Sequence, residues 1–176
     1  MRLIGWQTVF AAPPGPKALV IFYPHTSNWD FVMGVLARAT MPLRIEFLAK
    51  DALFRGPLGP LFRWLGGIPV DRSKPNGVVG AAAERFAHSD SLYLLVTPEG
   101  TRKYVDHWRS GFYHMALQAQ VPLGLGFIDS ATRRIGICGY LTLSGDQDTD
   151  LAAIAQAYAG LRGIRHGKEG RIAFRT

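Results

Sequence analysis

Residues 18–30 read ALVIFYPHTSNWD: an unbroken apolar run at 18–23, a short polar loop, and an aspartate where a new segment begins. An apolar run of that length suits a strand buried on both faces, the kind found in a parallel sheet covered by helices on each side. The segment that follows, residues 30–39, has helical spacing, with Val32, Leu36 and Ala39 expected to share its apolar face.

The same alternation extends outward. Further strands are expected at residues 44–49, 68–71, 92–96, 123–128 and 135–143. Helices are expected at 77–87, with Val79, Ala82 and Phe86 on one side and Asn76 as cap, and around Phe112, Met115, Ala116 and Ala119. A last helix carries Leu151, Ile154, Tyr158 and Leu161 and is introduced by Asp148 and Asp150. Strands alternating with helices imply an α/β fold, one domain over residues 1–176, with a mostly parallel central sheet flanked by helices. Such sheets bind ligands beyond the carboxyl ends of their strands. Those ends are followed here by His25, by Lys50 and Asp51, by Arg72, and by the run from Pro98 to Arg102. One rim would then collect a histidine, carboxylates and several cations.

Composition narrows the partners. The 176 residues carry a net charge of +7, which favours anionic ligands. The cations are scattered, without the concentrated stripe and module of a nucleic-acid binder, so phosphate or an anionic lipid surface is expected and nucleic acid is not. The single cysteine, Cys138, lies in an apolar stretch and is expected to be a buried structural thiol in a reducing, cytoplasmic setting. No run of about 18 apolar residues predicts a membrane span.

Three blocks carry chemistry. In His25-Thr26-Ser27-Asn28-Trp29-Asp30, a carboxylate at a helix start can fold back towards an imidazole. An aspartate there would fix the tautomer of a histidine acting as base. The block alone equally fits a capping aspartate beside an unrelated histidine. Residues 67–72, GIPVDR, end an apolar strand on Arg72, whose planar fork of donors suits phosphate, or which simply pairs with Asp71. Residues 97–102, TPEGTR, follow the strand at 92–96; Gly100 permits a tight turn or a close ligand approach, and Arg102 adds a cation.

In this order the blocks resemble those of the glycerophosphate and lysophosphatidate acyltransferase superfamily. His25 and Asp30 match its His-x4-Asp block, residues 67–72 its Gly-x-Ile-x-Val-Asp-Arg block, and residues 98–102 its Pro-Glu-Gly-Thr-Arg block. The motif core covers about residues 20–128. Lys50 falls where the family often has a lysine after a strand. Pro24 departs from the family's common asparagine, and Leu125 from a common second proline. The 24 residues before His25 are fewer than the membrane-seated helical segment of many members.

The resemblance implies direct acyl transfer from acyl-CoA or acyl-carrier protein, used as substrates with no cofactor, to the hydroxyl of a lysophospholipid or related acceptor. His25 would be the general base and Asp30 its orienting partner. Arg72, Arg102, Lys50, Glu99, Gly100 and Thr101 would form the substrate pocket, and free amides near the Asp30 helix or the Gly100 turn would meet the oxyanion. Ser27 reads as a helix-cap residue rather than a nucleophile. Residues 53–65 mix large apolar side chains with Arg55 and Arg63, as suits either contact with an anionic membrane or a core-facing helix. His107 and His114 lack a third partner for a metal site. Two other classes stay open: a non-catalytic basic module for lipid or nucleic acid, and a thioesterase-like hydrolase in which water replaces the alcohol.

Overall fold

The computed structural model describes residues 1–71 and 77–175. Seven strands form one sheet: β1 (Gln7–Phe10), β2 (Lys17–Tyr23), β3 (Ile45–Lys50), β4 (Gly67–Val70), β5 (Leu92–Val96), β6 (Leu123–Asp129) and β7 (Arg134–Leu141). Their order is β1-β7-β6-β2-β5-β3-β4. The five strands from β6 to β4 run parallel; β7 pairs antiparallel with β6, and β1 pairs parallel with β7. The expected mostly parallel α/β sheet is therefore present, with a reversed pair added at one edge.

The reason β2 is apolar throughout lies in its central place. Leu19, Ile21 and Tyr23 point into a core built with α4 (Gly77–Ala87), α5 (Gly111–Ala119) and α6 (Gln147–Ala157). Ala18, Val20 and Phe22 point the other way, towards Ile45, Tyr93 and the buried side of α1 (Trp29–Arg38). Burying each large apolar side chain stabilises by about 1.5–3 kcal/mol, so both faces of this strand hold the layers together. Between β3 and β4 lie two short helices, α2 (Ala52–Arg55) and α3 (Gly59–Trp64).

Several details differ from the sequence reading. The buried side of α1 is Asp30, Met33 and Ala37, spaced i, i+3, i+7, while Val32 and Leu36 are exposed. Strand β1 has no apolar alternation that would announce it; it forms because Gly136, at φ 148°, lets its edge come close to Val9. Cys138 is exposed, its thiol donating to Leu125 O at 3.3 Å, because it lies beyond the part of β7 that β1 covers. Helix α6 begins earlier than expected: Asp146 caps it by accepting the Thr149 amide, and Asp150 turns inward to accept from Ser144 and the Tyr113 hydroxyl. Asn76, the expected cap of α4, lies outside the described residues.

Candidate active site

Parallel pairing of β2, β5, β3 and β4 brings four carboxyl ends to one rim. His25 follows β2, Glu99 follows β5 on the adjacent strand, and Lys50 ends β3. Asp71 follows β4; Arg72 lies outside the described residues.

The chain turns at the cis peptide Tyr23–Pro24 and enters a loop that α1 closes. Asp30, buried in the first turn of α1, folds back under that loop: its Oδ2 accepts the amides of Thr26 and Ser27, each at 2.7 Å. The same Oδ2 lies 3.2 Å from His25 Nδ1, without the alignment of a formed hydrogen bond, and Asp30 Oδ1 has no hydrogen-bond partner among the described residues. Hydrogen bonds in active sites are often long or poorly aligned without a substrate and tighten around one. With Nδ1 directed at the carboxylate, Nε2 is the ring nitrogen left for a substrate. The imidazole is 16% exposed, open enough for a ligand to reach it.

Glu99 is buried directly behind this loop. Its Oε2 accepts the His25 amide at 2.6 Å and its Oε1 accepts the Gly170 amide at 2.8 Å. Burial pushes the carboxyl up to about 7; the Gly170 and His25 amides oppose that shift, and the Asp30 and Glu169 charges add to it. Burial also raises the neighbouring Tyr23 phenol to about 12, with Glu99 and Glu169 contributing.

The remaining expected residues divide. Gly100 does make a tight turn, at φ 67°, and a side chain there would meet Arg109 Nε at 2.9 Å. Arg109 is a cation the sequence reading missed; its only local sign was its place ahead of α5, and the turn sets it against the Glu99 loop by donating its amide to Pro98 O. Thr101 accepts the Lys103 amide within its own turn. Arg102 and Lys50 are exposed on the rim. Ser27 Oγ accepts the Trp29 amide at 3.2 Å, which is a structural role at the helix start.

The expected oxyanion donors are largely occupied. The amides of His25, Thr26, Ser27, Trp29 and Gly100 all have acceptors already. Two surface depressions, one lined by Trp108, Arg109 and Phe174 and the other by Arg162, His166 and Glu169, contain neither His25 nor Asp30. Among the described residues, no group of three or more His, Cys, Asp or Glu side chains is placed to hold a metal ion.

Comparison with known proteins follows the same residues. A family model described as Acyltransferase matches residues 11–124. The chain is 28% identical to 1-acyl-sn-glycerol-3-phosphate acyltransferase alpha of Mus musculus over 116 residues, covering 62% of this chain and 40% of that protein. It is 32% identical to 1-acyl-sn-glycerol-3-phosphate acyltransferase beta of Homo sapiens over 115 residues, covering 61% of this chain and 40% of that protein. It thus spans about two-fifths of the length of these curated relatives. The fold is also similar to that of the 1-acyl-sn-glycerophosphate (LPA) acyltransferase PlsC from Thermotoga maritima, with a TM-score of 0.60 at 15% identity, covering 92% of this chain and 76% of that one. With the family match spanning the His25–Asp30 loop and the Glu99 turn, the chain belongs to the Acyltransferase family.

Proposed function

We propose that this protein transfers a fatty-acyl group from an acyl-CoA or acyl-carrier-protein thioester to the hydroxyl of a lysophospholipid or related acceptor. The observation that carries this reading is the 3.2 Å approach of His25 Nδ1 to Asp30 Oδ2 at the rim of the sheet. His25 Nε2 takes the acceptor's hydroxyl proton as the oxygen attacks the thioester carbonyl. The tetrahedral intermediate collapses with cleavage of the C–S bond, and the imidazolium returns the proton to the departing thiolate. Asp30 orients the ring and stabilises its charged form. General-base help of this kind contributes on the order of 10²–10⁴-fold in rate. The thioester supplies the leaving group, so the reaction requires no cofactor. Arg102 and Lys50, exposed on the rim, are assigned to substrate phosphate together with Arg72, which lies outside the described residues, and Gly100 and Thr101 shape the turn before Arg102.

A cytoplasmic protein resting on an anionic membrane suits such an acceptor. Trp29, Val32 and Leu36 of α1 are exposed, as are Leu58, Leu61 and Trp64 in and beside α3, the two tryptophans by 64% and 79%. The helices adjoin through the Phe31 and Phe62 rings, 5.8 Å apart, so these side chains belong to neighbouring surfaces. Arg38, whose guanidinium donates to Leu65 O, and Arg63, which donates to Phe54 O, accompany them, while Arg55 pairs with Asp51. Apolar side chains bordered by guanidinium groups fit the interface of an anionic bilayer. No helix among the described residues is long and apolar enough to cross a membrane.

The test is thiol release from both donors with a panel of lysophospholipid acceptors, comparing wild type with His25→Ala and identifying products by mass spectrometry. Acceptor-dependent release that yields a new ester and collapses in the variant supports the reading. Free fatty acid without an acceptor points to hydrolysis instead, and equal activity in both proteins removes His25 from the chemistry.

A further inference from the structure

The family match ends at residue 124, yet the loop that carries His25 is held from outside by residues far beyond it. After α6 the chain has no regular structure and crosses the carboxyl-end rim as a strap. The Ser130 amide and hydroxyl donate to Arg162 O and Gly163 O, and the Arg162 amide donates to Asp129. At the far end the Arg171 amide donates to Val105 O, and the Trp108 amide donates to Ala173 O. Between these fastenings the strap makes two contacts with the site. The Arg165 amide donates to Thr26 Oγ1 at 3.0 Å, and the Gly170 amide donates to Glu99 Oε1 at 2.8 Å.

Both contacts use backbone brought in close. A Cβ at Gly163 would lie 2.6 Å from Thr26 Oγ1, and one at Gly170 would lie 2.9 Å from Glu99 Oε1 and 2.7 Å from Val105 Cγ2. Thr26 and Glu99 are buried, with little room to yield. Glu99 in turn holds the His25 amide, and the Thr26 amide donates to Asp30. The strap therefore reaches both sides of the histidine.

We propose that residues 162–173 are a positioning element of the active site, in which the Gly170 amide fixes Glu99 and through it the His25 backbone, while the Arg165 amide fixes Thr26. The proposal rests on the reading of His25 as the base. Asp30 sets the loop from within the fold; the strap sets it from the other side and aims the imidazole. A misplacement of about 1 Å at such a group costs on the order of 10²-fold in rate, so this fastening has a direct catalytic effect.

The test uses Gly163→Ala and Gly170→Ala in the full chain, with Gln118→Ala, an exposed side chain of α5 outside the strap, as control. Histidine-labelled NMR follows the five imidazoles through a pH titration, His25 being identified by its loss in His25→Ala. Both glycine variants are expected to move the His25 resonances and its titration midpoint, and to lower kcat about tenfold or more with KM nearly kept. The control leaves all of these unchanged. Folded glycine variants with a wild-type His25 titration overturn the proposal. Should either variant fail to fold, hydrogen exchange on the wild type decides: the Gly170 and His25 amides are expected to open with the same free energy, and a Gly170 amide that exchanges much faster than that of His25 overturns it. Glycine variants that move the His25 resonances in a protein whose wild type transfers no acyl group remove the transferase reading and leave the strap in place. Transfer that persists with an insensitive His25 does the reverse.

Discussion

Glu99 Oε2 accepts the backbone amide of His25 at 2.6 Å, tying the turn after β5 to the loop after the neighbouring β2. A carboxylate buried next to a histidine is usually read as that histidine's side-chain partner. Here Asp30 holds that place, and Glu99 fixes the main chain instead.

Glu99→Gln keeps the shape but replaces one acceptor oxygen with a donor facing an amide. A hydrogen bond to a charged group is worth about 1.5–3 kcal/mol, so above pH 7, where Glu99 is mostly ionised, kcat/KM for thiol release is expected to fall roughly 10- to 100-fold. An undiminished rate would show that the His25 amide needs no anionic acceptor.

The same carboxyl makes stability depend on pH. Its folded value, raised from 4.5 to about 7, means that the folded state holds the proton more tightly than the unfolded chain does. Between those values the folded protein binds more protons, so stability falls as pH rises through that window and levels off above it. Melting temperatures of wild type and Glu99→Gln, followed across that range, are expected to diverge in that sense. Parallel curves would contradict a raised Glu99.

Asp30 and His25 are expected to act as a unit. Asp30→Asn removes the charge beside the imidazole and weakens the clamp on the Thr26 and Ser27 amides, lowering kcat on the order of 10²–10⁴-fold. Asp30→Asn combined with His25→Ala should then be no slower than His25→Ala alone. Multiplying losses in the double variant would mean that the two residues work independently.

For the α1 and α3 surface, Leu61→Glu and Trp64→Glu remove exposed apolar side chains without entering the core. Flotation with vesicles containing anionic phospholipid is expected to show at least about tenfold weaker binding for the pair, since burying even a single large apolar side chain is worth about 1.5–3 kcal/mol. Residual binding should weaken further with salt. Binding identical to wild type would take this face off the membrane.

Gly136→Ala places a Cβ 1.8 Å from Val9 O. Overpacking of this kind costs about 1–3 kcal/mol, and the expected result is a lower melting temperature together with faster exchange of the β1 amides. Unchanged stability would mean that β1 contributes little to the sheet.

The sequence by itself determined the elements whose side chains repeat and the residues whose chemistry needs close neighbours in the chain. The run at 18–23 has the length and composition that suit a strand buried on both faces, and it is one. Asp30, in the first turn of α1, lies close enough in the chain for the sequence to offer it as a partner of His25, beside the alternative of a capping aspartate; the fold brings Oδ2 within 3.2 Å of the imidazole. Tertiary structure decided what such patterns leave open. Val32 and Leu36 have the same spacing as a core face, and only the sheet's position shows that Met33 and Ala37 are the buried side. Strand β1 and the strap carry no periodic signal: one is held by an edge partner, the other by amides and glycines. A backbone N–H is the same in every residue but proline, so no side chain announces the bonds from Gly170 and Arg165 into the site. Those bonds exist only because the fold returns the end of the chain to the rim where β2 and β5 finish.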